Sequence, residues 1–141
     1  MGHDCPLIVR IYGTTIERKE FPLPWDNFVT TKLSQYVRGT ELTKYALHHM
    51  IRDPRECRFA EKIRNYDARI RNQTEEKQPM SSEDKTKYKK LIFDAKCAVI
   101  KRKEVILCTC HTSGSRLIKS NTNIKQVFFV FLSGELQLFH N

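Results

Sequence analysis

The sequence has few of the features that settle a function at once. No apolar run approaches the ~18 residues of a membrane span, and the amino terminus has no signal-peptide apolar core. There is no G-x-x-x-x-G-K-[ST] loop to cradle nucleotide phosphates, and no Asp-Glu pair follows a strand to hold magnesium. No paired carboxylates or serine triad stand out. The opening residues miss the myristoylation pattern, because Pro6 sits where a hydroxyl residue is needed. The 5 cysteines are odd in number and irregularly spaced, which disfavours a disulfide framework and points to a reducing, intracellular setting. In that setting the sequon at Asn72 and Thr74 is expected to be an ordinary surface turn. There is no internal repeat and no low-complexity tract.

What is present is charge. The 141 residues carry a formal net charge of +9, with a pI near 9.5 and a mean hydropathy of −0.53. The length allows one domain or less. An excess of this size favours acidic partners, nucleic acid above all, and says nothing about fold. Between Arg52 and Lys103 there are 16 Lys plus Arg against 9 Asp plus Glu, so this stretch holds +7 of the +9.

Along the chain, Leu7–Tyr12 is a short β-branched run closed by Gly13, which predicts a strand. Two prolines in Phe21–Trp25 make a rigid extended link. Residues 26–39 are ambiguous and leave room for one short helix. Thr40 is a candidate N-cap for a helix through Ile51, with Leu42, Tyr45, Ala46 and His49 or Met50 on one face and Pro54 as its stop. Phe59, Ile63, Tyr66 and Ile70 recur at three- and four-residue steps, predicting a helix over roughly 55–73. Ser81 and Asp84 resemble a capping box, and the stripe Tyr88, Leu91, Ile92, Ala95, Ala98 and Val99 continues that helix towards Lys103. These two helices, joined by a Pro-containing turn, are expected to fold back as an antiparallel hairpin.

Val105–Cys110 is apolar throughout, as in strands buried on both faces of a parallel sheet. A loop and a short helix are expected over 111–122, then a second such strand at Val127–Leu132, which without neighbours would be an aggregation-prone edge. The tail after Gly134 is uninformative. The order is an α/β pattern with a helical insertion. Its three strands cannot cover their own faces, so the sheet reads as a slice of a larger one.

The stretch VILCTCHTSGSRL, residues 105–117, admits three chemistries. Zinc needs matched pairs of ligands, whereas here one C-x-C-H stands without a partner pair, and packing explains Cys108 and Cys110 as buried small apolar residues. A cysteine nucleophile needs an oriented base, and the adjacent His111 is placed to diverge from Cys110. The third chemistry is a binding loop. Thr109, Thr112, Ser113 and Ser115 offer hydroxyls, Gly114 lets backbone approach a ligand, and the position follows the carboxyl end of a strand, where α/β sheets bind ligands. Arg116 and Lys119 add positive charge beside a helix start suited to phosphate. A hydroxyl-rich turn that merely caps a helix fits these residues equally well.

Three segments, in order, resemble the superfamily 1 helicases of the nonsense-mediated-decay and zinc-finger-helicase group. "IVRIYG" resembles a strand often written V-V-R-L, "YALHHMIR" a helix with A-L-H-x-x-I-R, and "SSEDKTKYKKLIFDAKCAVIKRKEVILCTCHTSGSRL" the long helix and the strand ending in a T-C-x-x-x-G loop. The resemblance covers Leu7 to about Val130. It implies an incomplete RecA-like P-loop domain, with a few parallel strands and an inserted antiparallel helical hairpin. The divisions would be 1–39 for the first strand and linker, 40–103 for the helical insertion, 104–132 for the strand-loop-helix-strand of the core, and 133–141 for a divergent tail.

In such helicases the loop approaches the sugar-phosphate backbone of single-stranded RNA or DNA. Matched position by position, Thr109, Cys110, Ser113 and Gly114 fall on the motif, with Arg116 beside them. Family habit favours a cytoplasmic location, the nucleus being the alternative. The chain departs from the family after Phe128–Phe131, where Val130 leads to Leu132, Ser133, Gly134 and Glu135 instead of Asp-Glu-Ala-Gly. ATP hydrolysis in these motors needs a phosphate-loop lysine, a magnesium-holding acid and an arginine from a second domain, and none stands at a matching position here. The expectation is therefore a truncated helicase product with no cofactor of its own and no motor activity, ATP and magnesium being implied only for the full-length family. The alternative is a non-enzymatic basic module that binds nucleic acid or protein.

Overall fold

The computed structural model describes residues 7–25, 43–76, 80–123, 126–130 and 136–140. Strand β1 (Ile8–Arg10) is followed by helix α1 (Thr14–Glu20), a 3-10 turn at Thr43–Tyr45, the single-turn helix α2 (Leu47–Met50), α3 (Ala60–Glu76) and α4 (Ser82–Ile100). Then come β2 (Val105–Leu107), α5 (Cys110–Ser113), α6 (Arg116–Asn121), β3 (Gln126–Val130) and β4 (Leu136–His140). The whole helical block therefore lies between two strands that are neighbours.

β1 and β2 pair in parallel, Ile8 with Val105, Val9 with Ile106 and Arg10 with Leu107. The ladder is extended by Ile11 N donating to Leu107 O at 2.8 Å and by Glu104 N donating to Leu7 O at 2.8 Å. Side chains alternate across a strand, so the paired Val9 and Ile106 share the face that joins the core. The opposite face is uncovered. Leu107 is 50 % exposed, and Val105 is exposed with it. Burial of β2 on both faces is thus corrected to burial on one, because the helices pack on a single side of this two-stranded ribbon.

The third strand is also corrected. β3 does not extend the parallel pair; it pairs antiparallel with β4, in register from Gln126 with His140 to Val130 with Leu136. A few residues suffice to join antiparallel strands, whereas a parallel addition needs a crossover. The tail supplies the partner that the apolar run lacked. Phe131 and Leu132, expected in the strand, lie outside the described residues, as do Thr40 and Leu42 of the expected first helix.

Three helical segments differ from expectation for local reasons. α1 forms over Thr14–Glu20, between the expected strand and the Pro-containing link, where no element was expected. It starts at Gly13 without a side-chain cap, but Glu17 in its first turn and Arg18 and Lys19 in its last complement the helix dipole. The single helix expected through Ile51 is broken at Ala46, which bridges to Arg10. The helix expected from about 55 begins at Ala60, because the Asp53 carboxylate takes Arg55 N at 2.9 Å and holds 53–57 in a turn. The sequon residue Asn72 lies within α3 and not in a surface turn.

The start of α4 follows its sequence signal. Ser81 caps it, its Oγ accepting from Asp84 N at 3.1 Å. α3 and α4 run antiparallel, since Asp67 meets Tyr88 while the later Arg69 meets the earlier Asp84. One core joins Val9, Leu47, Ile51, Ile63, Ala95, Val99, Ile100 and Ile118. A second, smaller cluster joins Leu23, Ile70, Met80 and Tyr88.

Buried ion pairs tie the helices together. Arg52, 9 % exposed, donates through Nε to Asp67 Oδ2 at 2.7 Å, through Nη2 to Tyr88 Oη at 3.2 Å and through Nη1 to His48 O at 2.5 Å. Burial, with Asp67 alongside, pushes the Tyr88 phenol well above its ordinary value against the opposing pull of Arg52, so it keeps its proton and donates to Asp67 Oδ1 at 2.8 Å. Lys96 Nζ donates to Glu17 Oε2 at 2.8 Å, joining α4 to α1. Burial pushes the Glu17 carboxyl up, but Lys96, by charge and hydrogen bond, with His48 and Arg18, outweighs it and leaves the carboxyl below its ordinary value.

Two expectations follow. Asp67→Ala leaves Arg52 buried without its counter-charge and should cost about 3–5 kcal/mol, whereas Tyr88→Phe should cost only about 1 kcal/mol. Urea titration followed by circular dichroism measures both, and equal, small losses would refute the role given to Arg52. Because the folded Glu17 carboxyl is the stronger acid, its contribution is complete above the unfolded value and drains as pH falls through the folded one. The melting-temperature gap between the protein and Glu17→Gln should therefore close below pH ~4.

Candidate functional site

The loop singled out from the sequence sits at the carboxyl end of β2. Thr109 caps α5: its Oγ1 accepts from Thr112 N at 3.3 Å and donates to Thr112 Oγ1 at 3.0 Å. Ser113 Oγ donates to Cys110 O at 2.6 Å. Thr109, Cys110, Ser113 and Gly114 are all exposed and adjoin one another on a single turn, and exposed Arg116 opens α6. The Arg116 guanidinium stands 5.5 Å from the centre of the Phe93 ring on α4, a cation–π contact that orients it. The structure thus gathers the five residues on one surface and gives both hydroxyls a local partner as well as access to solvent.

Gly114 is in ordinary helical backbone, φ −82°, ψ 0°. A Cβ there would meet only His111 O at 3.7 Å, so nothing in this turn demands glycine. Cys108 and Cys110 are exposed rather than packed, because both lie beyond Leu107, the last paired residue of β2. Shielding of its sulfur, then the neighbouring Cys110, pushes the Cys108 thiol above its ordinary value, which is unfavourable for a nucleophile. Ser115 Oγ is buried with no hydrogen-bond partner.

A second cluster escaped the sequence. Glu20, at the last position of α1, receives hydrogen bonds on a single oxygen, Oε2, from His48 Nε2 at 3.1 Å and from His49 Nε2. The two histidines are adjacent in α2, and their ring centres are 4.6 Å apart. Tyr12 stands edge-on to His48 at 5.5 Å, and Phe21 stands edge-on to His48 at 6.0 Å and to His49 at 5.4 Å. Burial pushes His48 below the ordinary histidine value despite Glu20, which pulls it up, and His49 adds to the fall. The signal available was the pair His48-His49 at the head of a helix. Glu20 could not be matched to it, since the intervening chain gives no periodicity from which to place one against the other.

Among the described residues, Glu20, His48 and His49 are the only group of three His, Cys, Asp or Glu side chains whose donor atoms lie within 4.8 Å of one another. Cys108, Cys110 and His111 do not converge in this way. No described helix is long and apolar enough to cross a membrane.

No model of a known protein family and no solved structure matches the chain. Two curated proteins do. The chain is 34% identical over 122 residues to the 3'-5' exoribonuclease HELZ2 of Mus musculus, covering 84% of this chain and 4% of that protein. It is 31% identical over 114 residues to the 3'-5' exoribonuclease HELZ2 of Homo sapiens, covering 79% of this chain and 4% of that protein. The chain is thus related in sequence to a short stretch of these proteins and spans 4% of their length.

The exposure of the loop cysteines is directly measurable. A brief treatment of the folded protein with iodoacetamide should label Cys108 and Cys110, while Cys57, buried in the core, is labelled only after denaturation. Peptide mass mapping reads this out, and protection of Cys108 and Cys110 in the native protein would contradict the exposure of the loop after β2.

Proposed function

We propose that this chain is a piece of a superfamily 1 helicase, cut from its first RecA-like domain, whose own contribution is a phosphate-contacting surface for single-stranded RNA formed by Thr109, Cys110, Ser113, Gly114 and Arg116. The observation that carries this is the placement of an exposed, hydroxyl-bearing turn and an oriented arginine directly after the carboxyl end of a parallel strand. Ligands of open α/β sheets gather at that edge. Similarity to a stretch of a protein named as a 3'-5' exoribonuclease favours RNA as the polymer. The uncovered apolar face of β1 and β2 supports a sheet meant to be packed on both sides, as parallel sheets are.

ATP and magnesium belong to such motors, but the described residues do not fit them. Glu17, Asp67, Asp84 and Glu56 are each matched by a cation of the chain, Lys96, Arg52, Arg69 and Lys103 in turn. The sequence offers no phosphate loop. No catalytic step is assigned, and binding without turnover is the proposed activity, in an intracellular compartment.

A second reading rests on exposed Lys62, Arg64, Lys89 and Lys90 of α3 and α4, which would make the helical hairpin a basic binding module in its own right.

Titration of labelled single-stranded RNA at several salt concentrations separates the two. Affinity should fall as salt rises, and Ser113→Glu with Arg116→Glu should weaken binding and flatten the log–log slope by about 0.7–1, roughly one phosphate contact. A slope near zero, or binding untouched by that double change, removes the loop from consideration. Binding lost instead on Lys89→Glu with Lys90→Glu assigns it to the hairpin.

A further inference from the structure

We propose that Glu20, His48 and His49 form a binding site for one zinc ion, which clips α1 to α2. The inference is independent of the nucleic-acid surface, which uses none of these residues.

The geometry points to an ion for three reasons. Successive side chains on a helix diverge by roughly 100°, yet His48 and His49 bring both Nε2 atoms to the same carboxylate oxygen, and all three donor atoms lie within 4.8 Å of one another. The aromatic edges of Tyr12 and Phe21 fix the imidazole planes, as a preorganised site requires. The cluster also has a floor and an opening: His48 is 3% exposed, whereas His49 is 33% and Glu20 22% exposed.

The donor set selects the ion. Two imidazoles and one carboxylate suit zinc with a fourth position left to water, whereas calcium and magnesium favour oxygen ligands throughout. Arg52, which donates to the His48 carbonyl, is matched by Asp67, and Glu17 is matched by Lys96, while Glu20 supplies the anionic donor that faces both histidines. On binding, each ring carries its proton on Nδ1 instead of Nε2, which frees the Nε2 lone pair and replaces two N–H···O contacts with metal bonds. No other reactant is needed.

The test is equilibrium dialysis and thermal melting of the full chain with zinc, and absorption spectra with cobalt in its place. One ion per chain should bind and raise the melting temperature, as any ligand of the folded state does. Cobalt should show visible ligand-field bands without a thiolate charge-transfer band. Glu20→Gln and His49→Gln should each weaken binding by more than about tenfold, since changes even outside the ligand shell cost ~10–100-fold at metal sites. Cys108→Ser with Cys110→Ser should leave binding unchanged. If Glu20→Gln does not fold, His49→Gln decides, because that ring is partly in solvent. Absence of binding, affinity unaltered by His49→Gln, or a thiolate-to-cobalt band would each overturn the assignment.

Discussion

A single guanidinium holds the helical block in place. Arg52 closes the segment after α2, reaches Asp67 on α3 and Tyr88 on α4, donates to the His48 carbonyl of α2, and lies 3.6 Å from the centre of the Phe21 ring that follows α1. Five fixed donors on a flat group can serve this many partners at once. Removing such a charge from water is costly unless each donor is met, so the partners define one arrangement of the helices. Slippage of α3 against α4 by a turn would separate Asp67 from Tyr88 and leave the cation unmatched. Apolar packing of Ile63, Ala95 and Val99 is less directional and would tolerate such a shift better.

The same arrangement sets up both surfaces of interest. By fixing α2 it orients His48 and His49 towards α1, where Glu17 and Glu20 lie three positions apart on one helical face, the first taken by Lys96 and the second by the histidines. By fixing α4 it places Phe93 under Arg116 and sets the direction in which the chain enters β2. The loop at Thr109 is thereby presented at the sheet edge without depending on any contact of its own to the core.

The parts legible from the sequence were those governed by local rules. The periodicity from Tyr88 to Val99 and the Ser81 cap marked α4 correctly, and the β-branched run at Leu7–Tyr12 marked β1. What could not be read depended on distant partners. The strand bridge at Ala46 broke a helix that its periodicity favoured, because Arg10 competes for that backbone. The Val127–Leu132 run looked like a parallel strand because its partner, Leu136–His140, shows no strong alternation to announce it. Cys108 and Cys110 looked like core residues because free cysteine is usually buried, whereas both lie beyond the paired residues of β2 and are exposed. The loop residues were singled out from their hydroxyl chemistry and from the helicase resemblance, whereas the Glu20 cluster was not, because it exists only once α1 and α2 meet.

The parallel pairing of β1 with β2 has a consequence for length. The helices between Arg10 and Val105 form a closed excursion whose two ends are fixed side by side. For a flexible excursion the entropy of closure grows only logarithmically, about 0.6 kcal/mol for each doubling. The ribbon therefore acts as a socket that is nearly indifferent to the size of what is plugged into it, and turns added at the far tip of the α3–α4 pair would extend the protein outward without disturbing the edge where Thr109 lies.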